Sequence, residues 1–394
     1  MFRESPVNAI AERAQSLVPG PLKRIAEASK PYQSTAAFLA GFGYDSVTLR
    51  RIDQLVDNLV LLAYLLGLGL LLVIEHRIAR GQMAIGWIQR RRRLIHLGLQ
   101  FLFGGLYSAY VIYYFKSASL LKSLIFLGLL AALLVANEFL EHRLRATRLQ
   151  LALYYFCVFS FLLYFIPVLT GWMGSPVFIV AGALALLLTG GLTALVYWEG
   201  SSKTRPPQGH ARKPRRVAWQ HVRSNAFIWG ALFAVLGLFY LTNIIPPVPV
   251  SVVHSGVYHD IERAGDAYLL EYERPSWYAF WRDESAPFRP TKDAAMHVFS
   301  AIFAPRGMQL RVFHRWEYWH PKRKQWLETD HIPFTVTGGR DGGWRGFTRK
   351  KNYRPGRWRV TVELADGRAL GHTAFKVREP VPEVVLDFAT VHYE

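Results

Sequence analysis

Hydrophobic positions change their texture partway along this chain. From about residue 55 to residue 245 they run in long apolar blocks, and beyond about 255 they alternate with polar residues. A helix of roughly 20 apolar residues spans the hydrocarbon core of a bilayer. Six blocks of that kind predict six transmembrane helices, near 55–74, 94–115, 120–140, 149–169, 176–197 and 226–245.

The later segment has the period of a β-strand. In MQLRVFHRWEYW, Leu310, Val312, His314, Trp316 and Tyr318 share one face, while Arg311, Phe313, Arg315, Glu317 and Trp319 share the other. RWRVTVEL alternates likewise, with Trp358, Val360, Val362 and Leu364 together; Ala365-Asp366-Gly367 then marks a turn, and ALGHTAFKV returns as its partner. Further strands are expected near 267–273, 295–303, 326–337 and 384–392. Short strands separated by turns predict an immunoglobulin-like β-sandwich over residues 255–394, with a barrel as the alternative closure.

Two segments flank these regions. Residues 246–254 open with a Pro-Pro pair and predict an extended, stiff connector that holds the β domain away from the helices. In residues 1–54, Ile10, Ala14, Leu17 and Val18 fall on one helical face before Pro19-Gly20-Pro21 ends it, which predicts a peripheral amphipathic segment. No uninterrupted apolar stretch with a cleavage site precedes the first span, so a removable signal peptide is not expected.

Charge orients the spans. The chain carries a formal charge of +19 with 51% hydrophobic residues. Residues 1–245 hold 25 Lys/Arg against 10 Asp/Glu, whereas 246–394 hold 22 against 18, so the excess accompanies the apolar blocks. That pairing favours a membrane protein over a nucleic-acid binder. Arg77, Arg80 and Arg90–Arg93 follow the first span, Arg143, Arg145 and Arg148 the third, and Lys203 to Arg223 the fifth; TGWMGS after the fourth has no charge. Positive loops stay in the cytoplasm, where they would meet anionic lipids. Both termini are therefore expected outside. Cys157 stands alone, which leaves no disulfide framework, cysteine-based zinc site or CxxC motif.

Four stretches carry a resemblance to a known family: VFHRWEYW (Val312–Trp319), GGRDGGWRGFTRK (Gly338–Lys350), PGRWRV (Pro355–Val360) and GHTAFKV (Gly371–Val377). Together, from Leu310 to Val377, the segment resembles a bacterial family called domain of unknown function 2914. Membrane helices followed by this domain are a familiar layout there. The resemblance implies a bacterial envelope setting, and implies no activity, substrate or catalytic residue.

Candidate chemistry lies in three places. The loop GGRDGGWRGFTRKK combines backbone freedom with Arg340, Arg345, Arg349, Lys350 and Lys351, which suits an anionic ligand as well as it suits a tight turn beside a basic strand. It lacks the GK[ST] ending of a nucleotide-binding loop. Trp316 and Trp358 belong on core faces, whereas Trp319, Trp326 and Trp344 are candidates for a platform under a sugar ring or partner peptide. Trp277 and Trp281 are candidates to dip into the membrane surface. Eight of the thirteen histidines lie beyond residue 250, none in HxH, HxxxH or HExxH spacing, so no metal site and no cofactor is expected, and no GxSxG elbow nominates a catalytic residue.

In the helical region, EHR recurs at Glu75–Arg77 and Glu141–Arg143, and Glu199 also closes a span before a basic loop. A glutamate there opposes the helix dipole and calls for a cation, so ion pairing at helix ends is the leading reading. The competing one is a membrane-embedded cluster of Glu138, Glu141 and His142, which share one helical face. The sequence thus predicts an integral inner-membrane protein whose exported sandwich binds an envelope protein or glycan in a non-catalytic anchoring role. The alternative is a transporter subunit or membrane-embedded enzyme using the helix-three cluster.

Overall fold

A computed structural model describes residues 42–49, 51–81, 92–118, 121–139, 146–197, 214–275, 277, 283–291, 294–340, 342–380 and 386–393. Two compact units divide the chain, Met1–Arg50 and Arg51–Glu394. In the first, residues 42–48 are helical.

The second unit begins with α1 (Leu55–Ala79), α2 (Arg92–Ser117), α3 (Ser123–Phe139), α4 (Thr147–Thr170), α5 (Ser175–Val196) and α6 (Pro214–Leu241). Five of these are long and apolar enough to cross a membrane, while α3 contributes a shorter apolar helix. Apolar side chains such as Leu66, Leu70, Phe101, Leu187 and Phe227 point outward, as they would toward lipid. Helix α4 is the most enclosed and packs on α1, α2, α5 and α6. Because lipid tails supply no hydrophobic contrast, polar contacts help fix helix pairing in a bilayer. Here Tyr110 and Tyr114 of α2 donate to the carbonyls of Cys157 and Ser160 of α4, at 2.8 and 2.9 Å. Cys157 itself is a fully buried, free thiol.

The EHRIAR stretch closing α1 binds three other helix ends. Glu75 is buried and accepts from Arg92 Nε and Nη2 at 3.0 and 2.6 Å, with His96 Nε2 at 3.5 Å. His76 Nδ1 lies 3.4 Å from the Thr147 hydroxyl that opens α4. Arg77 and Arg80 donate to the carbonyls of Leu195 and Val196, at 3.1 and 3.0 Å, and so cap the C-terminus of α5. The Arg80 guanidinium also lies over the Tyr197 ring at 3.7 Å. Arg77 and Arg80 sit where terminal carbonyls leave negative charge to be answered.

Among the described residues ten strands follow: β1 (Ser251–Tyr258), β2 (Asp260–Ala264), β3 (Ala267–Glu273), β4 (Met296–Phe303), β5 (Gln309–His320), β6 (Gln325–Thr337), β7 (Trp344–Lys350), β8 (Gly356–Leu364), β9 (Ala369–Val377) and β10 (Phe388–Tyr393). They form three antiparallel sheets, ordered β1-β4-β7, β6-β5-β8-β9 and β10-β3-β2. The first two share a core that includes Val298, Trp316, Trp358 and Val360, continued by Ile302, Val312 and Val362. The third sheet covers the opposite face of β4 through Leu270 against Phe299 and Ala301. Strand β4 is therefore buried on both faces, which explains why MHVFSAIF alternates weakly.

The proline segment does not act as a spacer. Residues 245–250 are buried, and Val250 enters the same core as Ile302 and Leu364. Strand β1 starts at Ser251, within the expected connector. Met173, in the uncharged loop between α4 and α5, packs against that core as well. The Arg306 amide donates to Asp53 Oδ2 at 3.2 Å, and the Arg368 guanidinium lies 4.9 Å from the Tyr240 ring. Apolar burial, a hydrogen bond and a cation–π contact together seat the β-rich region on the end of the bundle.

Removing one partner from the Glu75–Arg92 pair leaves a charged group without its complement. Glu75→Gln should lower unfolding stability in detergent by about 1–3 kcal/mol. In a double-mutant cycle with Arg92→Gln, the second substitution should cost much less in the Glu75→Gln background.

Candidate functional site

The aromatic candidates separate into two groups. Trp319 of β5 and Trp326 of β6 are direct cross-strand partners whose ring centroids lie 5.4 Å apart at 65°. Both rings are half-buried at the hairpin end of the pair. Arg357 of β8 lies over both, 5.5 Å from Trp319 and 5.9 Å from Trp326, and Arg359 lies 4.5 Å from Trp326. Arg359 is anchored from below by the buried Glu317 carboxylate through two 2.8 Å bonds, and the Thr361 hydroxyl adds a third at 3.1 Å. Burial alone pushes the Glu317 carboxyl up, yet the hydrogen bond and charge of Arg359, with Arg315 and Thr361, hold it below its ordinary value. The exposed turn between β5 and β6 adds Lys322, Arg323 and Lys324.

Trp344 does not join this group. It stacks on Phe334 at 5.5 Å and 11°. Phe334 is eight residues along β6 from Trp326, roughly 26 Å at about 3.3 Å per residue. Trp316 and Trp358 are buried in the core, as their alternation suggested. Trp277 is exposed, and Trp281 lies outside the described residues.

The basic loop divides as well, because β7 sends successive side chains to opposite faces. Arg349 is exposed, and Lys350 is buried against Asp330 with the Trp358 ring 5.4 Å away. Gly338 and Gly343 serve close packing, while Gly339 and Gly342 line an open cleft. A Cβ at Gly338 would meet the Pro305 carbonyl oxygen at 1.9 Å, and one at Gly343, whose φ is +83°, would meet the Ile302 backbone at 2.9 Å. Arg340 and Arg345 line an open cleft together with Arg51 and Arg306, which the sequence pattern did not single out. Those four residues come from three distant parts of the chain, so no local motif could have linked them.

The histidines do not gather into a metal centre: among the described residues no three His, Cys, Asp or Glu side chains are placed to hold an ion. His314 is fully buried instead, with Nδ1 2.8 Å from the Thr348 hydroxyl and Nε2 3.0 Å from the Ser300 hydroxyl. Trp316 Nε1 donates to the same Thr348 oxygen at 3.1 Å. Ser300 continues through Ser255 to Thr373, at 3.0 and 2.8 Å. The network ties β5 and β9 of one sheet to β1, β4 and β7 of the other. Burial pushes His314 down to about 3 and His259 down to about 4. Both rings are neutral at pH 7, because burial disfavours the charged form.

In the bundle, Glu138 is half-buried with Oε2 3.5 Å from Gln100 Nε2, and Asn137 Nδ2 donates to the Gln100 carbonyl at 2.9 Å. Glu141 and His142 lie outside the described residues.

Residues 309–377 match the family described as protein of unknown function (DUF2914), the domain that the sequence resembled. No curated protein matches the chain. Similar solved structures include an immunoglobulin-like protein from Pseudomonas aeruginosa, at 11% identity over 33% of this chain and 98% of that one, with a TM-score of 0.20. A β-glucosidase from Listeria innocua in complex with glucose is similar at 11% identity, over 29% of this chain and 16% of that one, with a TM-score of 0.18. A Pseudomonas fluorescens alkylpurine DNA glycosylase bound to DNA containing an abasic site analog is similar at 12% identity, over 83% of this chain and 99% of that one, with a TM-score of 0.17. Likeness at this level defines neither fold nor function for the present chain.

The buried histidines give stability a definite pH dependence. Above about pH 6.5 they are neutral in both states. As pH falls further, the unfolded chain binds protons that the buried rings refuse, so stability declines from about 6.5 toward the folded values near 3 and 4. Denaturant unfolding followed by tryptophan emission should show this decline. His314→Leu should be less stable at pH 7 by about 1–3 kcal/mol, because it strands two buried hydroxyls, and should lose less on acidification.

Proposed function

We propose that this is an inner-membrane protein of the bacterial envelope whose β-rich domain, an immunoglobulin-like sandwich, binds an envelope partner without catalysing a reaction. In this reading six helices cross the bilayer and both termini are extracytoplasmic. Two features support the orientation. The β-rich region packs against the bundle end that carries the uncharged TGWMGS loop, whereas Arg77, Arg80 and Arg92 occupy the ends that carry the basic loops.

The observation that carries the binding role is the Trp319–Trp326 rung with Arg357 over both rings. Aromatic faces accept the C–H faces of sugar rings, and guanidinium groups pair with carboxylate or phosphate substituents. The neighbouring turn at Lys322–Lys324 extends the positive charge. A glycan bearing acidic groups fits this surface best, and an acidic protein segment is the alternative occupant. Anchoring of Arg359 by Glu317 keeps the platform ordered before a ligand arrives, which reduces the entropy cost of binding.

Full-length protein in detergent should bind an immobilised acidic polysaccharide more tightly than a neutral one in interferometry. Trp326→Ala should weaken that binding about tenfold or more, equivalent to ~1.4 kcal/mol, while leaving the unfolding midpoint nearly unchanged. Equal affinity of the wild-type and Trp326→Ala proteins would remove the platform from the account.

A further inference from the structure

A second site follows from the seam between the bundle and the β-rich region. Arg51 comes from the segment before α1, Arg306 from the β4–β5 loop, Arg340 from the β6–β7 loop and Arg345 from β7. All four line one open cleft of about 790 Å³. Among the described lining residues the only carboxylate is Asp266, against four arginines of which Arg51 is paired with Asp53 outside the lining. Arg51 is held in place by two bonds to Asp53, at 2.9 and 2.7 Å, and Asp53 also accepts the Arg306 amide. Arg345 Nη1 donates to the Asp266 backbone carbonyl at 2.5 Å, while its Nε is buried without a hydrogen-bond partner. Arg306 and Arg340 are exposed, and among the described residues neither has a carboxylate within ion-pair distance.

Converging arginines repel one another unless an anion joins them, and guanidinium forks match phosphate oxygens geometrically. Height above the membrane narrows the choice. Arg51 precedes the first residue of α1 by four positions, at most about 14 Å of extended chain. The interfacial layer of a bilayer is roughly 5–8 Å deep on each side. Leu55, Val56 and Leu59, in the first turns of α1, are exposed as lipid-facing residues would be. The cleft thus opens close to the phosphate layer of the leaflet on that side.

We infer that the cleft formed by Arg51, Arg306, Arg340 and Arg345 binds a phosphate group at the membrane surface, carried by a lipid headgroup or a free phosphate. Arg306 and Arg340 contact the phosphate directly, and Arg51 and Arg345, fixed by their own partners, complete the positive field around it. This site is separate from the Trp319–Trp326 platform and does not rest on it.

The test uses the full chain in detergent and native mass spectrometry, with dioctanoyl phosphatidic acid, dioctanoyl phosphatidylcholine and inorganic pyrophosphate as probes. Phosphatidic acid should bind more tightly than phosphatidylcholine. The double variant R306Q/R340Q should reduce phosphatidic acid binding about tenfold or more, as loss of charge-assisted contacts implies. K322Q/R323Q, which removes equal charge from the far turn, should leave it nearly unchanged, and so should Trp326→Ala. Preference for phosphatidic acid over pyrophosphate assigns the lipid source, and the reverse assigns the free one, both supporting the site. Equal losses in R306Q/R340Q and K322Q/R323Q would reduce the effect to net charge and overturn the inference. Absence of binding by every probe would overturn it too.

Discussion

Met173 lies between two apolar helices in the sequence, yet its side chain packs against the core of the β-rich region. Val250, just after the last helix, enters that same core. Apolar groups withdrawn from water on both sides of the junction make bundle and β-rich region one compact unit. The hydrogen bond from Arg306 to Asp53 then has a fixed reference on each side. Without this seating, Arg51 and Arg306 would not share a cleft, and the height of that cleft above the lipid would have no meaning.

The two halves solve the same problem, the burial of polar groups, with different means. At the far end of the bundle, Glu75 and the carbonyls closing α5 are answered by arginines, so the ends of α1, α2 and α5 are tied to one another. Inside the β-rich region a neutral histidine does equivalent work, reaching from one sheet to Thr348 and Ser300 of the facing one. A charged imidazolium in that position would lack a counterion, which is why burial keeps it neutral.

Much of the fold was legible because the membrane and the β-sheet impose different periods. Strands β3, β5, β8 and β9 lie close to where period-two alternation put them, and five helices satisfy the length and composition of a span. β1 was hidden because it begins beside prolines that read as a spacer. The short β2 and glycine-flanked β7 offered too few alternating positions to be read separately. The candidate sites were less legible still. Alternation correctly put Trp316 and Trp319 on opposite faces, but it could not say that Trp326 would pair with Trp319 while Trp344 stacked on Phe334. Of the glycines that looked like a ligand cradle, Gly338 and Gly343 allow the loop to approach Pro305 and Ile302, while Gly339 and Gly342 line the arginine cleft. The arginine cleft depends on residues separated by most of the chain, as the 253-residue span of the Asp53–Arg306 bond illustrates.

The β-rich region is seated on the bundle and does not swing from a tether. Spin labels at Trp172→Cys, an exposed position in the α4–α5 loop, and at Lys322→Cys, in the β5–β6 turn, would report on it directly; Cys157 is fully buried and stays unlabelled. Pulsed dipolar spectroscopy on the full chain in lipid nanodiscs should give one narrow distance distribution. A broad or multimodal distribution would contradict the seating, and with it the shared cleft.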